Sequence, residues 1–233
     1  MTTQLPLFPL TTALVPGLVL PLHIFEPRYR MMIEELLAKP EDEREFGIVA
    51  VRERHMGGST TASVAGHDND DLYPVGVSAL LRQAERLDDG RYDIVTIGGR
   101  RFQIVDVDRS APLMRAEVEF LPEPEIDSAE PMVVALTERT VRAFDKYRAA
   151  LGGRLDEERD DDEQLPTEPT VLSYLITAAL VIDGRTRQEL LASPDTITRL
   201  KCCARILGYE TAMIAALGAV PAVDLLQSQP STN

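Results

Sequence analysis

Cysteine is almost absent from this 233-residue sequence, and the two present, Cys202 and Cys203, are neighbours. Adjacent residues do not bridge without strained backbone, so a disulfide framework is excluded and a reducing cytoplasm is expected. Lysine is nearly as scarce: Lys39, Lys146 and Lys201 are the only three among 24 basic residues. None of them follows a glycine, which removes the GxxxxGK[ST] phosphate loop and with it a P-loop ATPase. No GxSxG elbow and no HExxH motif occurs. The three histidines, His23, His55 and His67, lie far apart, so a histidine-rich metal site is not expected. Cys202 and Cys203 fall on a predicted helix, where they point roughly 100° apart and do not chelate one metal without other ligands. They read as small core or boundary residues. Serine–lysine catalysis needs a buried lysine, and neither Lys201 on its helix nor Lys39 beside Pro40 fits. No catalytic residue, cofactor or metal is therefore expected, and the chain does not read as an enzyme.

Acidic residues dominate the charge. With 38 Asp and Glu against 24 Lys and Arg, the formal charge is −14, spread over both halves of the chain. Such a surface repels phosphate backbones and anionic membranes alike, so nucleic acid is an unfavoured partner. The run DEERDDDE (156–163) lacks the spaced carboxylates and turn glycine of a calcium loop and reads as a solvated connector.

The longest apolar stretch is LPLFPLTTALVPGLVLPLHIFEPRYR (5–30), and it lacks what a leader or a membrane span needs. No basic residue precedes Arg28, and prolines at 6, 9, 16 and 21 interrupt every run. A signal peptide is not expected, and four prolines would leave backbone groups unsatisfied in hydrocarbon. Proline cannot donate to a ladder, so the stretch is predicted to form edge strands and turns, with Pro16–Gly17 a turn signal. Edge strands leave backbone groups that an extended peptide can pair with. The plainer reading is that the apolar side chains fill a core while the prolines blunt the edge.

Residues 1–122 read as a β-rich domain. Strands are predicted in EFGIVAVRER (45–54), DLYPVGVSALLRQAERL (71–87) and MRAEVEFLPE (114–123), the last alternating cleanly. RYDIVTIGGRRFQIVDVDR (91–109) reads as two strands, with Gly98–Gly99 a turn or bulge between them. One helix is predicted from Glu26 or Pro27 to Ala38, and the segment 55–70 as a mobile loop. Residues 123–131 form a proline-punctuated linker. A helical domain follows over 132–218, with a mobile acidic loop at 152–169, and 219–233 is a tail. Within that domain, helices are predicted at 170–182, 185–192 and 193–218, the last with Ser193 as N-cap and Pro194 at its first position. Tyr29, Ile24 and Phe25 are expected to anchor the first helix to the barrel, with Glu26 and Arg28 forming a local ion pair.

The order and spacing of LPLFPL, VPGLVLPLHIFEPRYRMMIEELL, FGIVAV, DLYPVGVSALLRQAERLDDGRYDIVTIGGRRFQIVDV and MRAEVEF resemble the substrate-binding N-terminal domain of Lon proteases. EPTVLSYLITAAL and RQELLASPDTITRLKCCARIL are similar to that family's helical part. The resemblance runs from about residue 4 to 217, and PLHIFEPRYR (21–30) is typical of its stand-alone bacterial branch. It implies an α+β fold, a PUA-like β pseudo-barrel followed by an α-helical bundle. It also implies recognition without processing, since the ATPase and protease modules of Lon have no counterpart here. The partners implied are unfolded or tagged polypeptides, with a protease or chaperone as recipient.

By the same resemblance, Leu18, Pro21 and Leu87 are the residues expected to contact polypeptide. Pro21 follows the Pro16–Gly17 turn, Leu87 sits in the hairpin QAERLDDG, and these two segments flank a peptide-contacting surface in Lon. Two other readings stay open. PUA-like barrels commonly bind RNA, though Arg100–Arg101 is a small basic patch against the overall charge. An oligomer, such as a homodimer joined through AVPAVDLLQ (219–227), is the other.

Overall fold

The computed structural model describes residues 2–52, 55–56, 59–60, 71–152 and 165–217. The described residues divide into two compact units, one running to Pro122 with Gly184–Gln188 added, the other comprising the residues from Glu123 to Asp183 and from Glu189 to Leu217.

Among the described residues the first unit contains eight strands, one α-helix and a 3-10 turn at Glu41–Glu43. Strand β1 is Thr3–Leu10, β2 Val19–Ile24 and β3 Glu45–Ala50; helix α1, Pro27–Leu37, lies between β2 and β3. A two-residue ladder, β4 (His55–Met56) with β5 (Ser59–Thr60), occupies part of the segment predicted to be loop; the rest of 55–70 lies outside the described residues. Strands β6 (Val75–Arg86), β7 (Tyr92–Asp108) and β8 (Arg115–Phe120) complete the unit. The sheet order is β2-β7-β6-β3-β1-β8, and β7 also pairs with β8. Five strands therefore close on themselves, with β2 left as a flap on the first half of β7. Closure works because β7 is long: its start carries β2 and its end carries β8, while β6 runs beside most of it. Register shifts after Val77, Leu81 and Ile104 bend the strands and tighten the curvature.

This overturns the reading of β7 as two strands joined by a turn, while the bulge expected at Gly98–Gly99 is present: Val77 and Ala79, two residues apart, pair with Arg101 and Gly98, three apart. Among the described residues only Gly17 and Gly90 have positive φ. Gly98 is needed for space instead, since a Cβ there would stand 2.2 Å from the Val15 carbonyl oxygen. Glycine lets another part of the chain pass against the strand without breaking it. The core beneath comprises Leu5, Leu7, Val49, Val51, Leu72, Phe102, Met114, Ala116 and Val118. Phe102 is accommodated at Gly76, where a Cβ would sit 2.5 Å from its ring.

The prolines of β1 are also not on an edge, because β1 pairs with β3 on one side and β8 on the other. Leu7 N–H donates to the Met114 carbonyl (2.9 Å), so alternation turns Pro9 toward β8 and Pro6 toward β3. The β8 ladder covers Thr3–Pro6 and the β3 ladder Leu7–Leu10. Each proline thus faces a neighbour where no ladder bond is required of it. Helix α1 begins with Pro27 and buries Tyr29, Met32, Ile33 and Leu36 at helical spacing. Tyr29 packs on Phe8 with ring centroids 4.4 Å apart, and burial pushes its phenol up to about 12. The Arg28–Glu26 pair forms at 2.7 Å.

The second unit contains α2 (Pro131–Gly152), α3 (Pro169–Ala179) and α5 (Thr196–Leu217); α4 (Gly184–Leu191) spans the division between units. Phe144, Tyr147, Leu172, Ile176, Leu180, Leu190, Cys203, Leu207 and Ile214 form its core. Helix α3 ends before the predicted Ile182: Leu180 is extended, and the Val181 N–H goes to the Tyr147 hydroxyl (3.0 Å) rather than up the helix. Helix α5 starts later than predicted. Its cap is Asp195, whose carboxylate accepts from Thr198 N–H at 2.7 Å, while Ser193 reaches back to the Glu189 carbonyl. That capping bond holds the Asp195 carboxyl below its usual range. The acidic loop over 153–164 and the tail, including 219–227, lie outside the described residues.

Candidate binding face

Among the described residues strand β2 pairs with β7 alone, and its other edge has no strand beside it. Gly98 N–H donates to the Leu18 carbonyl (2.9 Å). Alternation then turns the backbone groups of Leu20, Leu22 and Ile24 toward β7 and those of Val19, Pro21 and His23 toward the free edge. Pro21, with no N–H, removes the central donor of that edge. The edge is blunted, as the plainer sequence reading has it.

Side chains of β2, β7 and β6 line up in rows across the outer face. Val19 stands opposite Ile97, which pairs with Leu80; Pro21 opposite Val95, which pairs with Gln83; His23 opposite Asp93, which pairs with Glu85. The face therefore grades from an apolar row through a mixed row to a charged one. Successive rows are two residues apart, about 7 Å. Beneath it Leu22, Ile24, Tyr92 and Ile94 are buried, and Thr96 turns its hydroxyl to the Leu20 carbonyl (3.0 Å). An open groove of about 520 Å³ lies on this face, lined by residues 21–23, 83–85 and 93–95.

The charged end is ordered by a chain of polar contacts. His23 Nδ1 lies 2.6 Å from Asp93 Oδ1, and Arg91 Nη1 lies 3.0 Å from His23 Nε2. Arginine has only donors, so the contact with Arg91 needs Nε2 as acceptor, leaving Nδ1–H to donate to Asp93. Arg91 in turn donates to Asp89 Oδ2 at 2.6 Å, and the Asp89 carboxyl is held below its usual range chiefly by the Arg91 backbone N–H. Among the described residues no group of three or more His, Cys, Asp or Glu is placed to hold a metal ion.

The three residues singled out from sequence do not meet. Leu18, 36% exposed, precedes β2 beside Gly98. Pro21 lies three residues on, in the groove. Leu87 is half-buried at the β6–β7 turn, where its N–H donates to Arg91 and its carbonyl accepts from Gly90. By register, Leu87 is two rows beyond Pro21, about 13 Å along the strands, and two strands across. The residues between them, His23, Asp93, Glu85 and Val95, were not singled out. Alternation in RYDIVTI marks Asp93 and Val95 as sharing a face, but their pairing with β2 joins positions about 70 apart in the chain.

A closed β pseudo-barrel with an added edge strand, and a separate helical unit, is an α+β architecture shared with solved proteins. The Lon N-terminal domain protein from Xanthomonas campestris matches with a TM-score of 0.60 and 21% identity, covering 89% of this chain and 98% of that one. The N-terminal domain of the Mycobacterium avium complex Lon protease matches with a TM-score of 0.62 and 22% identity, covering 88% and 98%. The fold is thus PUA-like with a helical part. Residues 4–208 match the family model of the ATP-dependent protease La (Lon) substrate-binding domain. The chain belongs to that family. In sequence it is 28% identical over 214 residues to Lon protease 2 of Herpetosiphon aurantiacus, covering 90% of this chain and 24% of that protein. It is also 28% identical over 249 residues to cereblon of Gallus gallus, covering 86% and 52%. The chain spans about a quarter of the Lon proteases it matches and about half of cereblon. In Lon this family supplies a non-catalytic, substrate-binding module.

Proposed function

We propose that the chain recognises polypeptide without processing it, holding unfolded or tagged segments or passing them as an adaptor to a protease or chaperone in the cytoplasm. The observation that carries this reading is the open groove across β2, β7 and β6 in a chain of the Lon substrate-binding family. Pro21 forms part of its lining; Leu18 extends its apolar end, and Leu87 lies past the charged row at the other. The charge of −14 favours polypeptide over RNA as the ligand, and no helix among the described residues is long and apolar enough to cross a membrane.

Fluorescence anisotropy of a labelled, permanently unfolded casein tests the reading. The control is Pro21→Glu with Leu87→Glu, shown by circular dichroism to be folded. Saturable binding lost in the folded double variant supports a site on this face. Absence of wild-type binding up to high micromolar concentration removes general unfolded-chain recognition, and binding unchanged in the double variant moves the site elsewhere.

A further inference from the structure

Glu85 and Asp93 are directly opposed across β6 and β7. Both line the groove. Like charges facing each other in an antiparallel pair oppose folding, and here little relieves them. Asp93 shares one oxygen with His23. Arg91, in the next row, pairs with Asp89 and reaches His23 rather than either opposed carboxylate. Glu85 has no hydrogen-bond or ion-pair partner among the described residues. Local rules are broken where a protein has a use for the breach. A cation delivered by a ligand removes the repulsion.

Building on the polypeptide reading above, we propose that the groove selects extended segments in which an apolar residue is followed, two positions along, by lysine or arginine. Period supplies the spacing. In an extended chain residues i and i+2 lie on one side about 7 Å apart, which is the distance between the Pro21–Val95–Gln83 row and the His23–Asp93–Glu85 row. The apolar side chain rests on Pro21 and Val95, and the cation lies over the two carboxylates. The segment lies over the sheet face rather than along the edge of β2. The groove spans three strands, and Pro21 withholds the central edge donor that strand addition requires.

The test uses the full chain and labelled nine-residue peptides with one central leucine and Lys, Gln or Glu two positions after it. The expected order is Lys over Gln over Glu, with about a three- to fivefold step for each change of charge, shrinking at 0.5 M salt. Glu85→Gln removes most of the Lys preference, and Glu85→Lys reverses it toward the Glu peptide. Because Glu85 is exposed and unpartnered, both variants are expected to fold, and Glu85→Gln to melt no lower than wild type. Equal affinity for the three peptides in a protein that still binds unfolded casein overturns the basic-residue rule and leaves the polypeptide reading standing. Failure to bind either peptide or casein overturns both. A preference that survives in Glu85→Lys, or a peptide-independent dimer seen by light scattering that blocks binding, also overturns it.

Discussion

Glu123 and Arg199 pair a partly exposed carboxylate with a buried guanidinium, Glu123 Oε1 lying 2.7 Å from Arg199 Nη2. The arginine side chain is fully buried and the glutamate 30% exposed. Glu123 also accepts from Tyr174 (2.5 Å) and Thr196 (3.2 Å). Arg199 donates through Nε to Ser173 (2.8 Å) and lies 3.8 Å from the centre of the Tyr174 ring. The second unit therefore secures its first residue by closing a polar network around a buried cation.

The two halves of that pair are not equivalent. Glu123→Ala leaves the guanidinium buried without its counter-charge, a loss of about 1–3 kcal/mol, less than for a fully buried pair because the carboxylate side is open to solvent. Arg199→Met puts an apolar chain in the arginine's place and leaves a carboxylate that reaches solvent. Denaturant unfolding followed at 222 nm is expected to show Glu123→Ala as the more destabilised variant. Equal losses would mean that packing of the arginine stem, not charge, carries the interaction.

Two glycines should respond to alanine in opposite ways. Gly98→Ala places a methyl group against the Val15 carbonyl and is expected to cost about 3 kcal/mol or more, because backbone has to move. Gly208 lies within α5 with nothing within 4 Å of a Cβ, so Gly208→Ala is expected to add about 0.5–1 kcal/mol. Thermal melts of the two variants check both signs.

Burial pushes the Cys203 thiol up to about 11, against an ordinary value of 9.0. A thiol kept neutral in the fold contributes stability below the unfolded value that is lost as pH rises from about 9 through 11. The contribution is about 2–3 kcal/mol. Tyr29, raised to about 12 from 10.0, adds a similar loss between about 10 and 12. Stability measured by denaturant from pH 8 to 10.5 is expected to fall, and Cys203→Ala to flatten the lower part of that fall. At pH 8 a thiol reagent is expected to titrate the half-buried Cys202 ahead of Cys203, and both at once in guanidinium.

What could be read from the sequence was local chemistry. Pro27 and the spacing of Tyr29, Met32, Ile33 and Leu36 define α1, and alternation through Ala116 and Val118 defines the buried side of β8. What failed was long-range, the cap of α5 excepted. Gly98–Gly99 carries a turn or bulge signal, and only the pairing with β6 and the approach of Val15 show that it is a bulge in one continuous strand. Ser193–Pro194 carries an ordinary cap signal, yet Asp195 wins because its carboxylate meets Thr198 N–H directly. Proline in β1 argues for an edge, but β3 and β8 divide that strand between them and leave each proline a gap. The candidate face follows the same pattern. Pro21 stands out in sequence, whereas the row His23–Asp93–Glu85 exists only once three distant segments pair.

Hydrogen exchange of the full chain, with and without saturating unfolded casein, tests the central claim most directly. Residues 18–24 together with 83–87 and 91–97 are expected to gain protection, while α2 and α5 exchange as they do in the free protein. Protection confined to the helical unit, or none at concentrations where anisotropy shows binding, would contradict a polypeptide site on the β2–β7–β6 face.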